Sequence, residues 1–346
     1  MNCNALAGVT YFVATNGSDQ NLGTATSPWA SIQHAADASK AGATIRVAPG
    51  LYTSPILSTR SGTALAHIKF ISTVPHGATI KLNATPPAQY IWENSGNYVD
   101  IQGFEIVGTD GARNGIYNHG SHVQAIGNMI HDMNDVTCSS DGGAAILMGP
   151  ATTNNNVIGN LIYHIGLGAC TGSPYFHAVY ISDQGGAVQN NIIYGSRGRG
   201  INMNHGAQNK TISNNLIFNC ANGIEVADWD STIPAKGFLV TNNIVMYSTG
   251  YPIQEGGTTG ANNYIDNLLY QNYADVLDIY SGSKQIGTRI GDPGMINFQI
   301  DGSGNDHLGA TSVCINNGTT SGAPASDYDG LPRSDGRPDI GPYEKH

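Results

Sequence analysis

The sequence has little charge and no long apolar run. Of its 346 residues only 12% are charged, and 25 Asp and Glu against 15 Lys and Arg give a formal net charge of -10. This acidic balance excludes the usual electrostatic basis of nucleic-acid binding, so we expect no nucleic-acid partner. No stretch approaches the roughly 18 consecutive apolar residues of a membrane-spanning helix, so we expect no membrane association. The first eight residues lack a basic n-region, and we expect any secretion signal to have been removed.

A short pattern, an asparagine followed by two apolar residues, recurs through the chain. Its copies lie at Asn128, Asn160, Asn191, Asn215, Asn243 and Asn267, with gaps of 32, 31, 24, 28 and 24 residues, and Gly103 extends the series upstream by 25. Repeats of this length predict a solenoid of short stacked strands. An asparagine in the same corner of each coil can adopt the left-handed conformation and hydrogen-bond its copy in the next coil. The predicted fold class is therefore all-β, a right-handed parallel β-helix.

Cysteine is scarce, with five residues in the chain, but two of them follow the repeat. Cys138 lies ten residues after Asn128, and Cys170 lies ten residues after Asn160. If these coils are neighbours, the two cysteines stack about 4.8 Å apart, within the roughly 4.4–6.8 Å between Cα atoms that a disulfide requires. We therefore predict a Cys138–Cys170 disulfide, which is typical of a secreted, extracellular or periplasmic protein.

The two ends of the chain are predicted to be caps. Residues 11–15 (YFVAT) are typical of a strand, and Ser27 is the expected N-cap of a helix with Pro28 at its first position and Gly42 at its end. One amphipathic helix before the first coil would cover the open end of a solenoid. We expect a single domain over residues 1–346, with an N-terminal cap at about 11–42, coils at about 43–310 and a C-terminal cap at about 311–346.

Three segments carry a resemblance to a known family. They are YFVATNGSDQNLGTATSPWASIQHA (11–35), GATIRVAPGLY (42–52) and the segment from Asp327 to Glu344, which has a DxDGxxRxxGxxDIGxxE-like pattern. The chain resembles secreted bacterial β-helix proteins of the pectate-lyase-like superfamily, over nearly its whole length. The resemblance implies the β-helix fold and action on polysaccharides. We expect the charged residues of the ending to pair in a compact cap over the last coil, namely Asp329, Arg333, Asp339 and Glu344.

Aligning the coils places several polar residues in one column. We predict that the inward-facing residues are Ile116, Ile146, Val179, Ile201, Ile224, Ile253 and Leu277. The next residue in each coil then faces outward: Tyr117, Leu147, Tyr180, Asn202, Glu225, Gln254 and Asp278. Two residues before each inward residue lie Asn114, Ala144, His177, Arg199, Asn222, Tyr251 and Asp275. Because stacked coils lie about 4.8 Å apart, the residues His177, Tyr180, Arg199, Asn202 and Glu225 are predicted to form one sugar-sized site.

These residue types suit β-elimination of a uronate polymer, our preferred function. The reaction neutralises the carboxylate, removes the C5 proton with a base and protonates the leaving oxygen with an acid. We predict His177 as the base and Tyr180 as the acid, although the two roles could be exchanged. Arg199, with Arg197 beside it, would bind the carboxylate bidentately, and Glu225 completes the predicted catalytic set.

The residues of the loops beside this column predict a polysaccharide-binding groove. We also expect the protein to be a monomer. Aromatic faces beside polar groups are typical of sugar-binding sites. The predicted substrate-binding residues are Arg197, Asn202, Asn204, His205, Tyr117, Asp141, Tyr175, Trp229 and Tyr251.

Other functions remain open at this stage. Glu225, Asp228 and Asp230 could hydrolyse a glycosidic bond as paired carboxylates, although the Asn-Thr-Asp, Asp-Asp and Gly-His-Gly set of polygalacturonases is absent. The same acids with Asp183 are also a candidate Ca²⁺ site, since calcium takes six to eight oxygen ligands. A uronate C5-epimerase and a non-catalytic glycan-binding β-helix are further alternatives. A purely adhesive solenoid would show repeated Thr and Asn ladders, whereas here His, Tyr, Arg and Glu concentrate in three coils.

Overall fold

A computed structural model describes residues 8–83, 89–108, 112–134, 142–167, 175–229, 233–257, 260–334 and 336–346. The elements in chain order are β1 Thr10–Val13, α1 Ile32–Ala38, β2 Thr44–Val47, β3 Gly50–Tyr52, β4 Ile56–Ser58, β5 Ile68–Ser72, β6 Ala78–Ile80, β7 Tyr90–Asn94, β8 Val99–Gln102, β9 Glu105–Val107, β10 Asn114–Asn118, β11 Gln124–Ile126, β12 Met129–His131, β13 Gly143–Met148, β14 Asn156–Ile158, β15 Leu161–Ile165, β16 Phe176–Ile181, β17 Ala187–Gln189, β18 Ile192–Ser196, β19 Arg199–Met203, β20 Thr211–Ser213, β21 Leu216–Phe218, β22 Asn222–Asp228, β23 Leu239–Thr241, β24 Ile244–Met246, β25 Ile253–Gly257, β26 Asn263–Ile265, β27 Leu268–Tyr270, β28 Leu277–Asp278, β29 Lys284–Ile286, β30 Arg289–Ile290, β31 Met295–Asn297 and β32 Asn305–Leu308.

The strands form three long parallel sheets. Sheet I has the order β1-β2-β5-β8-β11-β14-β17-β20-β23-β26-β29, sheet II the order β4-β7-β10-β13-β16-β19-β22-β25-β28, and sheet III the order β3-β6-β9-β12-β15-β18-β21-β24-β27-β30. Each coil of the middle region contributes one strand to each sheet. This confirms the predicted right-handed parallel β-helix. Within the described ranges, no helix is both long enough and apolar enough to cross a membrane.

The predicted inward column of sheet II is confirmed. Ile116, Ile146 and Val179 pair in register, and the column continues through later coils to Leu277. Its members are fully buried except Leu277, which is 6% exposed. Because side chains alternate along a strand, burial of this column places its neighbour outside. The outward residues therefore also stack in the predicted order.

The predicted asparagine ladder is present. The side-chain nitrogen of Asn160 donates to the side-chain oxygen of Asn191 at 2.9 Å, and the same bond links each ladder asparagine from Asn128 to Asn267 to the next. All six are fully buried. Each amide oxygen also accepts a backbone N–H from the previous coil, so the ladder satisfies a buried corner of the backbone.

Two details of that ladder differ from the prediction. The left-handed residue is the one before each ladder asparagine, at Gly127, Gly159, Asn190, Asn214, Asn242 and Asp266. A tight corner therefore uses two adjacent residues, one for the turn and one for the hydrogen bond. Upstream, the ladder position is occupied by Phe104 and not by Gly103, since the backbone N–H of Phe104 donates to Asn128 at 3.0 Å.

The N-terminal helix begins later than predicted. Its N-cap is Ser31, whose hydroxyl accepts the backbone N–H of His34, and it ends at Ala38 rather than Gly42. The carboxylate of Asp19 explains the shift, because it accepts the backbone N–H groups of residues 30 and 31 and the Ser31 hydroxyl. Ser27 and Pro28 instead form a turn that leads to Trp29, which is buried.

The C-terminal segment lies along the side of the solenoid, which corrects the expected cap over the last coil. The left-handed asparagines hold it, with Asn190 donating to the Ser326 carbonyl at 2.7 Å and Asn214 donating to the Asp339 carbonyl at 3.0 Å. At Gly127 and Gly159 an added Cβ would meet nothing within 4 Å. The left-handed position is therefore glycine in coils that the C-terminal segment does not contact and asparagine in coils whose side chain binds the segment. The ion pair of Arg333 with Glu344 is buried within this segment and fixes its shape.

Asp306 on β32 is expected to make stability depend on pH. Burial raises the pKa of its carboxyl from 3.8 to about 6, and its Oδ1 has no hydrogen-bond partner. Because the folded pKa exceeds the unfolded one, stability from this group is present below the unfolded pKa and lost as pH rises through about 6. Asp306→Asn should therefore stabilise the protein by about 1–2 kcal/mol at about pH 8 and by almost nothing at about pH 4. The figure at about pH 8 is reduced because solvent screens part of the carboxylate's charge. Melting temperatures at both pH values test this, and an equal gain at both would contradict it.

Candidate functional site

A groove of about 750 Å³ runs along the outer face of sheet II. Ten of the residues predicted to form the site line it: Tyr117, Tyr175, His177, Tyr180, Arg199, Asn202, Asn204, His205, Glu225 and Trp229. Strands β16, β19 and β22 place the centre of the site, because Tyr180 pairs with Asn202 and Asn202 with Glu225. The parallel register therefore converts residues more than twenty positions apart in sequence into neighbours about 4.8 Å apart.

His177 is a buried acceptor rather than a base. Its Nδ1 accepts the backbone N–H of Arg199 at 3.1 Å, and the ring is 4% exposed. Burial, together with the nearby Arg199 charge, lowers the pKa of His177 to about 3, so the ring is neutral. Since Nδ1 accepts, the ring proton lies on Nε2, and no lone pair remains to take a substrate proton. This corrects the predicted role of His177: it holds the Arg199 backbone and stacks on Tyr180 with ring centroids 5.3 Å apart.

Arg199 and Glu225 form a bidentate ion pair. Nε and Nη2 of Arg199 lie 2.7 and 3.2 Å from the two carboxylate oxygens of Glu225, whose side chain is only 1% exposed. The same carboxylate accepts hydrogen bonds from Asn222, Trp229 and Gln254. Both oxygens are thus committed, which corrects the prediction that Glu225 acts on the substrate. Glu225 instead orients Arg199, whose Nε–Nη2 edge is turned to Glu225 and not to a sugar carboxylate.

Tyr180 and His205 are the titratable pair at the centre of the groove. Their ring centroids lie 5.9 Å apart, and His205 is exposed whereas His177 is buried. Tyr180 also stacks on His177, so the phenol ring has two imidazole neighbours. A hydroxyl donor beside an exposed imidazole is an arrangement that can move a proton in each direction.

Buried groups fix the turn that carries His205. His205 and the following Gly206 both have positive φ, at 54° and 81°. The buried carboxylate of Asp228 accepts the Gly206 backbone N–H at 2.6 Å. Asn204 adds a second tie, since its side-chain oxygen accepts the Trp229 backbone N–H at 3.2 Å. The end of β22 therefore sets the position of the imidazole.

The acidic residues do not assemble the predicted calcium site. Asp183 and Lys210 are both fully buried, with Oδ1 and Nζ 2.6 Å apart. Lys210 also donates to the Asn155 carbonyl at 3.0 Å. A carboxylate committed to an internal ammonium ion is a poor calcium ligand, so the placement of calcium on Asp183 is corrected. Among the described residues, no group of three or more His, Cys, Asp or Glu could hold a metal ion.

Several predicted residues do not line the groove. Arg197 donates to the Gly166 carbonyl, and Tyr251 lies against Tyr273 with ring centroids 6.5 Å apart. Asp228 is a buried acceptor, as described above. The remaining predicted positions, Asp141 and Asp230 of the site and Cys138 and Cys170 of the disulfide, lie outside the described residues.

The groove lining also contains residues that the sequence prediction did not assign to the site, among them Tyr90, Arg113 and Asn114. Tyr90, Arg113 and Asn114 line the upstream end of the groove, where Arg113 Nε donates to the Gly142 carbonyl at 2.8 Å. Asn114 lies in the same column as His177, and Tyr90 pairs with Asn114 one coil earlier. Extending the column by one coil would have found Tyr90. Arg113 lies just before β10, and the repeat carries no signal for it.

Two family models match the sequence. The model described as right-handed beta helix region matches residues 90–285, more than half of the chain. The chain belongs to the right-handed β-helix family. A second model, described as Pel9A-like, right-handed beta helix region, matches residues 11–165 of this β-helix protein. No curated protein matches this chain.

Three solved structures are similar to this β-helix protein at low sequence identity. The pectate lyase Pel9A is 17% identical with a TM-score of 0.73, over 99% of this chain and 98% of that one. The periplasmic alginate epimerase AlgG is 12% identical with a TM-score of 0.49, over 73% and 61% of the two chains. The GH136 lacto-N-biosidase from Eubacterium ramulus is 12% identical with a TM-score of 0.48, over 82% and 68%. The TM-score with Pel9A shows a common fold, and at 17% identity it leaves the function to the site.

Proposed function

We propose that this β-helix protein cleaves a uronate-containing polysaccharide by β-elimination in the sheet II groove. One observation carries the proposal: in a chain of net charge -10, the described groove lining contains two arginines, Arg113 and Arg199, and one carboxylate, that of Glu225. Because Arg199 and Glu225 neutralise each other, Arg113 leaves the lining with one net positive charge, and a net positive lining inside an acidic protein favours an anionic ligand. The tyrosines and amides of the same lining are suited to sugar rings and hydroxyls.

In the proposed reaction His205 is the base and Tyr180 the acid. The His205 imidazole takes the C5 proton, and the electrons of the C5–H bond form the C4–C5 double bond. The bond from C4 to the leaving oxygen breaks, and that oxygen takes the Tyr180 hydroxyl proton. Transfer of the proton from His205 back to the Tyr180 phenolate restores both groups, so the cycle needs no external oxidant or reductant.

The other residues prepare the site for this step. Arg199 is held by Glu225 and by the His177 contact to its backbone, so its guanidinium keeps a fixed position in the groove during the reaction. Asn202 and Asn204 supply amide groups on the same face. The Pel9A-like family-model match over residues 11–165, together with the similarity to the structure of pectate lyase Pel9A, supports a lyase. Since uronate-containing polysaccharides are mainly cell-wall and extracellular polymers, we extend the proposal to an extracellular or periplasmic location.

Hydrolysis by paired carboxylates has less support from the site. A pair of carboxyl groups must face the glycosidic bond, and among the described lining residues Glu225 is the single carboxylate, with both oxygens hydrogen-bonded. Asp228 is buried beneath the His205 turn.

Incubation with acidic polysaccharides tests the proposal. Polygalacturonate and alginate should be screened for the ultraviolet absorbance of unsaturated uronate products, with fully methyl-esterified pectin and a neutral glucan as controls. We expect absorbance to rise with at least one acidic polymer and not with the neutral glucan. Reducing ends without absorbance would show hydrolysis, and inversion at C5 without absorbance would show epimerisation. Either result, or binding of the polymer with no product, would overturn the proposed reaction.

A further inference from the structure

An indole ring is mounted at the downstream end of the groove. Trp229 follows β22 and is 62% exposed, although tryptophan is usually well buried. Its Nε1–H donates to the Glu225 carboxylate at 3.1 Å, so the ring does not rotate freely. An exposed ring that is tied by its polar edge keeps one hydrophobic face available for a ligand.

The backbone of Gly256 lies close to that ring. A Cβ added to Gly256 would lie 2.2 Å from Cζ2 of Trp229, far inside van der Waals contact. Gly256 pairs with Ala227 in the register of β22 and β25, so the indole lies over the next coil. The absence of a side chain at Gly256 is therefore what lets the ring approach the strand this closely.

A second aromatic surface lies at the upstream end. Tyr90 on β7 and Tyr117 on β10 have ring centroids 4.8 Å apart, and both line the groove. His119 contacts the Tyr117 ring with a centroid separation of 4.0 Å, which restricts its motion. Tyr90 and Tyr117 have no role in the proton transfers proposed above.

The two aromatic surfaces lie on opposite sides of the proposed reaction centre. Strands β10 and β22 are four coils apart in sheet II, a separation of about 19 Å. Tyr180 on β16 is two coils from each of them. A substrate that contacts both surfaces must therefore extend past the reacting bond in both directions.

We propose that Trp229 and the Tyr90–Tyr117 pair are sugar-stacking platforms that bind an acidic polysaccharide on both sides of the bond to be broken. The protein then cleaves within chains and not at their ends. This inference rests on the proposed function for the position of the reaction centre. Binding energy from sugars remote from the reacting bond serves to hold that bond in place.

Gly256→Ala tests the downstream platform without removing a groove side chain. The added methyl must displace the indole, so we expect the dissociation constant for a long oligogalacturonate or oligomannuronate to rise about 3- to 10-fold, as for the loss of one aromatic contact. Trp229→Ala should raise the dissociation constant to the same extent, and the double variant should bind no more weakly than either single variant. Gly282→Ala is the matched control, since a Cβ there meets nothing within 4 Å. If the effects of the two substitutions were additive, they would not act on the same contact, and the proposal that Trp229 is a platform would be overturned.

Chain length tests the two-sided arrangement. Affinity should rise from disaccharide to longer oligouronates until both platforms are filled. Tyr117→Ala should weaken the binding of long oligouronates but not that of disaccharides. Polymer digests should lose viscosity early, because internal cuts shorten chains fastest. Affinity independent of length, or release of terminal units alone, would overturn the inference. Calorimetric binding with the His205→Asn variant separates this outcome from failure of the proposed reaction, since it measures the platforms without turnover.

Discussion

His205→Asn is expected to lower kcat by about 10²- to 10⁴-fold, the usual contribution of a general base. Asparagine tolerates the left-handed backbone at this position, where φ is 54°, so the turn should keep its shape. The variant retains a polar side chain but cannot take a proton. Initial rates of unsaturated-product formation on the acidic polymer that is cleaved would measure the loss, and KM should change little because the platforms remain.

His122→Asn is the matched control for that experiment. His122 also has a positive φ, of 59°, but it stacks on Tyr98 and does not line the groove. Its replacement should leave kcat unchanged. If His205→Asn kept full activity, the base would lie elsewhere. If Tyr180→Phe alone removed activity, the phenol would have to serve both as base and as acid.

Lys210→Met is expected to destabilise the protein by about 3–5 kcal/mol, the usual cost of breaking a buried ion pair from one side. The substitution leaves the Asp183 carboxylate without its ammonium partner in a fully buried position. Burial raises the pKa of Asp183, so protonation should relieve part of the loss at low pH. Because the folded pKa lies above the unfolded one, the destabilisation should grow as pH rises through the folded pKa. Urea unfolding at acidic and neutral pH would measure both effects.

The second substitution Asp183→Asn provides the control. The amide oxygen can still accept the Asn155 backbone N–H that Asp183 now accepts at 3.3 Å, but the buried charge is gone. The double variant Asp183→Asn, Lys210→Met should therefore recover much of the lost stability. A double variant as unstable as Lys210→Met would show that the loss comes from packing of the lysine chain and not from the unpaired carboxylate.

Strand register was predictable because it follows from periodicity alone. The inward column from Ile116 to Leu277 follows from the sequence, since each coil must bury an apolar residue at the same point. The asparagine ladder was predictable for the same reason. The sequence did not distinguish the ladder asparagine from the left-handed residue before it. Asparagine occurs at both positions, and at either one it can adopt the left-handed conformation.

Helix start and C-terminal placement depended on contacts that no local pattern encodes. Ser27 and Ser31 are both reasonable N-caps, and the Asp19 carboxylate selects Ser31. The C-terminal segment binds asparagines more than a hundred residues upstream, such as Asn190 and Asn214. The repeat contains no information about which corners a distant segment covers.

The sequence by itself determined the solenoid, its register and the residues that share the sheet II face, because apolar periodicity and stacked corners are local properties repeated along the chain. Tertiary structure decided the roles of those residues. It buried His177 and committed Glu225 to Arg199, and it left His205 exposed beside Tyr180. The reason is physical: protonation and hydrogen bonding depend on solvent access and on partners from other coils, which become defined only when the coils are stacked.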